Sequence, residues 1–254
     1  MKNLFKKSAW LVVGALAWGL SAKADVLFNN TVTPVNGGTR FSDTQLEFGN
    51  QVILANPAGA YITNFSFEYY GIGGGAGGAF SGTVTVDVRW YLNNGPLTTG
   101  SFPTPPTATP GTLIYDSGPV HIVPTAQSTL DFSTATGDFQ TPPTVIAPPT
   151  GTFVGWVPGN ELTFTVQFSG LGTGDSAGVD LYSPPVVGST FTDYWQNNGT
   201  ASSPHWVLLE DATGRPIDIG QEWMGTAVPE PSTLALSLVG GLGLLVAVRR
   251  FRNK

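Results

Sequence analysis

The sequence predicts an all-β domain, a single β-sandwich, set between two membrane-directed ends. Three observations lead there. Apolar and polar residues alternate with period two in several segments, the mark of a strand with one buried face. Glycine (33) and proline (20) are abundant in a chain that is still 41% hydrophobic, which suits short strands joined by tight turns better than disorder. Between Asp25 and Thr226 no helical period persists beyond about two turns.

Taken in order, residues 1–24 read as a secretory signal peptide. Lys2, Lys6 and Lys7 precede an apolar stretch over 9–20, and Ala22-Lys23-Ala24 supplies an A-x-A cleavage site. The mature chain is therefore expected to begin at Asp25, with the secretion translocon as its first partner. Residues 25–226 form the expected ectodomain. Its clearest strands are 61–70, with Phe65, Phe67 and Tyr69 in alternation, then 83–91 and 161–168. In 83–91, Val84, Val86, Val88 and Trp90 point to the core, while Thr85, Asp87, Arg89 and Tyr91 point to water. In 161–168, Leu162, Phe164, Val166 and Phe168 point inward, while Thr163, Thr165 and Gln167 point outward.

Shorter strands are expected over 52–54, 112–115, 120–123, 129–132, 152–157, 178–182, 190–195 and 205–209. Turn signals such as Asn94-Gly95, Asp116-Ser117-Gly118 and Asn198-Gly199 separate them. Many short strands so punctuated point to a jelly-roll-like sandwich, with an immunoglobulin-like one as the alternative. The glycine-rich stretch 71–80 lacks the Lys and Ser/Thr of a phosphate-binding loop and has no helix after it. Residues 98–112 and 141–152 are threonine and proline mixtures that read as extended connections.

Composition narrows the chemistry. Before Val228, and outside the signal, 16 acidic residues face only Arg40, Arg89 and Arg215, so nucleic acid is not an expected partner. There is no cysteine, hence no disulfide, thiolate metal site or thiol nucleophile. The two histidines, His121 and His205, are far apart and match no zinc spacing, and no G-x-S-x-G occurs. The expectation is a protein that is not an enzyme and needs no cofactor.

Three other chemistries have candidate residues. Asp175 and Asp180, in and beside the glycine-rich "GTGDSAGVD", are candidate oxygen ligands for calcium, although the EF-hand spacing is absent. Tyr182, Tyr194, Trp195 and Trp206 lie in a stretch that also carries Asp193, Gln196, Asn197 and Asn198. Flat rings beside amides and carboxylates are what a carbohydrate-binding surface needs, and an extracellular polysaccharide is the candidate ligand. Glycoside hydrolysis would require a pair of carboxylates, for which Glu47, Glu68, Glu161, Glu210 and Glu222 are the candidates, with Glu68 placed among aromatics in "FSFEYYG".

The C-terminal segment, 227–254, has three parts: Val228-Pro229-Glu230-Pro231, an uncharged run over 234–248, and the basic residues Arg249, Arg250, Arg252 and Lys254. The run is a short transmembrane helix by composition, about 23 Å long, and the basic cluster places the C-terminus in the cytoplasm. Motif, helix and arginines in this order resemble the PEP-CTERM sorting signal of exported proteins of Gram-negative bacteria. The resemblance implies an exosortase, a membrane protease or transpeptidase, as partner, with processing at Pro229-Glu230-Pro231. It further implies a transient inner-membrane anchor, then a place at the cell surface or in the extracellular, biofilm-type matrix as a structural or adhesive protein.

Overall fold

The computed structural model describes residues 25–43, 46–55, 60–98, 107–133, 156–157, 160–200, 203–211 and 214–227. The fold is all-β. The strands are β1 (Asp25–Asn29), β2 (Arg40–Phe41), β3 (Glu47–Ile53), β4 (Ala60–Ile72) and β5 (Thr85–Leu92). They continue with β6 (Leu113–Asp116), β7 (Val120–His121), β8 (Thr125–Ser133), β9 (Trp156–Val157) and β10 (Glu161–Ser169). The last are β11 (Ser176–Asp180), β12 (Ser189–Thr190), β13 (Tyr194–Asn197), β14 (Trp206–Leu209) and β15 (Gln221–Ala227). The expected signal peptide and the segment from Val228 onward lie outside the described residues. Among the described residues no helix is long and apolar enough to cross a membrane.

Two antiparallel sheets result. The seven-stranded sheet runs β1-β15-β4-β11-β2, with β8 and β9 also paired to β4. The eight-stranded sheet runs β14-β13-β3-β10-β5-β6, with β12 on β3 and β7 on β5. The three clearest expected strands are β4, β5 and β10, and all their expected inward residues described here are buried. The expected strand 190–195 divides into β12 and β13. Strands β1, β2 and β15 carry no clear alternation and were not expected.

The sheets meet through aromatic rings. Phe65 of β4 lies with its ring centroid 4.6 Å from Trp223 of β15, 5.0 Å from Phe164 of β10 and 5.5 Å from Trp90 of β5. Trp90 and Trp223, from opposite sheets, are 4.6 Å apart. All four side chains are fully buried. A polar thread runs beside them: Trp223 Nε1 donates to Gln221 Oε1 (2.8 Å), Gln221 Nε2 to Asn50 Oδ1 (3.1 Å), and Asn50 Nδ2 to Thr190 Oγ1 (2.9 Å). Because the amides donate and accept in sequence, their burial costs little.

The outward faces depart from expectation. Arg89, Tyr91, Thr163 and Thr165 point away from the core, as their alternation requires, yet they are buried rather than wet. They enclose a charged cluster on the eight-stranded sheet. Glu47 Oε1 accepts from Tyr91 Oη (2.9 Å) and Thr165 Oγ1 (2.8 Å), and its Oε2 accepts from Asn197 Nδ2 (3.1 Å). Arg89 Nη1 lies 3.6 Å from Glu47, and Arg89 Nε donates to Asp116 at 3.0 Å. Burial, and then the neighbouring Glu47, hold the Tyr91 hydroxyl well above its ordinary range.

Replacing Trp223 by alanine is expected to lower unfolding stability by about 3–5 kcal/mol, through the cavity it leaves. Replacing the exposed Phe191 is expected to change it by less than about 0.5 kcal/mol. Urea denaturation followed by far-UV circular dichroism distinguishes the two, and equal effects would contradict the aromatic seam.

Candidate functional site

The candidate site lies on the outer face of the seven-stranded sheet. Ala177 and Val179 of β11 turn into the core, so the alternation sends Asp180 outward. Glu68 of β4 points outward for the same reason, between Phe67 and Tyr69. Gly220 links the two strands: its amide donates to the Asp180 carbonyl, and its own carbonyl accepts from the Glu68 amide. A Cβ at Gly220 would stand 2.4 Å from the Tyr182 ring and 3.1 Å from Glu68 Cγ, so a bare backbone is needed for Tyr182 to settle beside Glu68.

Partners arrive from two more strands. Antiparallel pairing of β2 with β11 sets Arg40 opposite Asp180, with Arg40 Nε 3.7 Å from Asp180 Oδ1. The guanidinium also lies over the Tyr70 ring, 4.9 Å from its centroid, and its Nη2 donates to the Ala126 carbonyl. From β8, Thr129 Oγ1 donates to Glu68 Oε1 at 2.6 Å. Gln127 Nε2 donates to Glu68 Oε2 at 3.3 Å and to the Tyr182 hydroxyl oxygen. Arg40, Gln127, Asp180 and Tyr182 border a cleft of about 370 Å³.

Asp180 is one of two described carboxyls, with Asp218, that burial raises to about 6. Burial raises the Asp180 pKa, Arg40 lowers it and Glu68 raises it again. Its Oδ2 is buried with no hydrogen-bond partner. Burial and the nearby carboxylates of Glu68 and Asp180 also raise the Tyr182 hydroxyl.

Of the four aromatics expected to bind carbohydrate, only Tyr182 is here. Tyr194 packs into the core, edge-on to Phe41 at 4.9 Å. Trp195 is fully buried on the outer side of the eight-stranded sheet, its register partner being Gly49. Trp206 is half-buried there, edge-on to Tyr91 at 5.3 Å. The four do not share a surface: alternation along β13 sends Tyr194 and Trp195 to opposite faces.

The expected calcium pair is likewise not brought together. Asp175 and Asp180 flank β11, roughly 16 Å apart at strand spacing. Asp175 accepts from the backbone amides of Gly74 (2.8 Å), Ser81 (2.8 Å), Gly82 (2.9 Å) and Gly172 (2.9 Å). With its oxygens already committed to N–H donors, it fastens the glycine-rich loop to the β10–β11 turn instead of holding a cation. Gly74 is required there, since a Cβ would lie 2.4 Å from the Thr173 carbonyl oxygen. Partial desolvation raises the Asp175 pKa, but the four amides outweigh it and hold the carboxyl well below its ordinary range. Among the described residues no group of three His, Cys, Asp or Glu side chains is arranged to hold a metal ion.

Sequence reasoning passed over Arg40 and Gln127. A usable signal for Arg40 was scarcity, because three arginines among sixteen acids are each drawn to a carboxylate: Arg40 to Asp180, Arg89 to Asp116 and Arg215 to Asp211. The sorting residues Val228, Pro229, Glu230, Pro231, Arg249, Arg250 and Arg252 lie outside the described residues. No protein-family model, curated protein or solved structure matches the chain.

Two expectations concern pH. The folded pKa of Asp180 is raised, so the folded state binds its proton more tightly than the unfolded state. No penalty exists below about pH 4, one accumulates up to about pH 6, and it is constant above. Asp180→Asn should therefore raise the Tm at about pH 8 and change it little at about pH 4; a lower Tm at the higher pH would contradict this. The folded pKa of Asp175 is depressed, so its contribution is complete above about pH 4 and fades as pH falls through the folded value. Asp175→Asn should lower the Tm at neutral pH, with the gap from wild type narrowing in acid; a constant gap would count against the amide cradle.

Proposed function

We propose that the chain is exported through its N-terminal signal and sorted at Val228-Pro229-Glu230-Pro231 by an exosortase-type membrane enzyme. The domain then serves at the cell surface or in the extracellular matrix as a structural or adhesive component, without catalysis of its own. The sorting motif, apolar run and arginine cluster are the sequence basis of this reading.

One structural observation carries it further. The first and the last described strands, β1 and β15, lie side by side in the seven-stranded sheet. These two strands pair with each other, Asp25 opposite Gly225 and Val26 opposite Met224. That pairing holds the two ends of the described domain together. The repeated passage of the chain between two sheets, from β3 to β4 to β5 and later from β10 to β11 to β13, supports the sandwich reading of the domain.

Intact mass and location of the protein in its own host test the proposal. The wild type is expected outside the inner membrane and lacking residues 234–254, and Glu230→Ala is expected to be retained with its tail. Both forms keeping the tail in the inner membrane would reduce the segment to a plain anchor.

A further inference from the structure

We propose that the cleft bordered by Arg40, Gln127, Asp180 and Tyr182 binds a neutral, hydroxyl-rich ligand, a sugar residue held through neighbouring hydroxyls. This deepens the surface and matrix reading, resting on it only for where the sugar is met. It also moves the carbohydrate site away from Tyr194, Trp195 and Trp206, which are packed elsewhere.

The case rests on what the cleft leaves unmade. Asp180 Oδ2 is a buried acceptor with no partner, an arrangement that native proteins rarely leave unfilled. Gln127 spends its amide hydrogens on Glu68 and Tyr182, which leaves its carbonyl oxygen as a second acceptor. Donors stand beside them: the Tyr182 hydroxyl, which accepts from Gln127 and keeps its own proton to give, and the Arg40 guanidinium, half-exposed at the rim. Donors and acceptors alternating over a few ångströms match groups that do both, and a hydroxyl is such a group.

Charge removes the competing classes. An anion would meet Asp180 and Glu68, both buried carboxylates. A divalent cation would meet Arg40 and find two carboxylates where a hard cation seeks six to eight oxygens. The volume of about 370 Å³ falls within the roughly 300–1,000 Å³ of small-molecule sites. Since Oδ2 is sealed from water, a ligand reaches it only when a lining side chain shifts, and Arg40 is the charged one at the rim. That side chain is 38% exposed, lies 3.7 Å from Asp180, and is also held by the Ala126 carbonyl and the Tyr70 ring.

The test uses the full-length chain in a sugar-free zwitterionic detergent, titrated calorimetrically with cellotetraose, mannotetraose and a galactan tetrasaccharide. Inorganic phosphate and calcium chloride are the competing probes. At least one neutral tetrasaccharide should bind saturably, with affinity reduced about tenfold or more by Gln127→Ala and by Asp180→Asn, as loss of a hydrogen bond to a charged or buried group implies. Trp206→Ala should leave it unchanged. Gln127 is exposed on β8, so its variant reports binding even where Asp180→Asn alters stability. No binding of any of the three sugars, binding indifferent to both cleft variants, or saturable binding of phosphate or calcium lost in those variants would each overturn the proposal. Export is read separately from Glu230→Ala, so failure to bind sugar and failure to be sorted are distinct results.

Discussion

The two sheets are joined where rings from both interlock, Phe65 and Trp223 on one side with Trp90 and Phe164 on the other. A chain without cysteine has no covalent means of fixing one sheet over the other. Large buried rings do this because each removes much apolar surface from water and contacts several strands at once. Trp223 is central for a further reason. Its strand, β15, lies between β1 and β4, so the packing that fixes Trp223 also fixes the pairing of the first and last described strands. Its indole N–H is anchored by Gln221, which sets the ring orientation.

A second constraint is the shortage of cations. Buried carboxylates need donors, and with three arginines available the chain recruits hydroxyls, amides and backbone N–H groups. Glu47 is satisfied chiefly by Tyr91, Thr165 and Asn197, Glu68 by Thr129 and Gln127, and Asp175 by four backbone amides. Asp180 differs. It has a single arginine at 3.7 Å and an oxygen without a partner, and its pKa is raised where that of Asp175 is depressed. The same residue type, at the two ends of one short strand, is structural where donors saturate it and available where they do not.

That contrast also marks what was legible in the sequence. Strands β4, β5 and β10 were readable because their inward residues are uniformly apolar, so the period of two survives in the letters. Strand β3 was read only at its end, because Asn50 occupies an inward position and breaks the pattern, its amide being satisfied by Gln221 and Thr190 across the core. Strand β15 was hidden for the same reason, since it opens with Gln221 and contains a glycine. The outer faces misled in a different way. Polar letters mark the side of a strand that is not core, but cannot say that Glu47, Arg89 and Thr165 will bury one another there. For the site, Asp180 was picked out by its glycine-rich surroundings and Glu68 by its aromatic ones. Their association depends on Gly220 and on β11 pairing with β4, contacts that span from 40 to more than a hundred residues.

Register along β4 adds a last point about orientation. Ala227, the last described residue, is paired with Ala60 of β4. Glu68 lies eight residues further along the same strand, roughly 26 Å at strand spacing. Ala227 thus lies by one end of β4, while the cleft lies toward the other end on the outer face. Arg40, Gln127, Asp180 and Tyr182 take no part in the pairing of Ala227 with Ala60, so the cleft can be altered without substituting a residue at that end of β4.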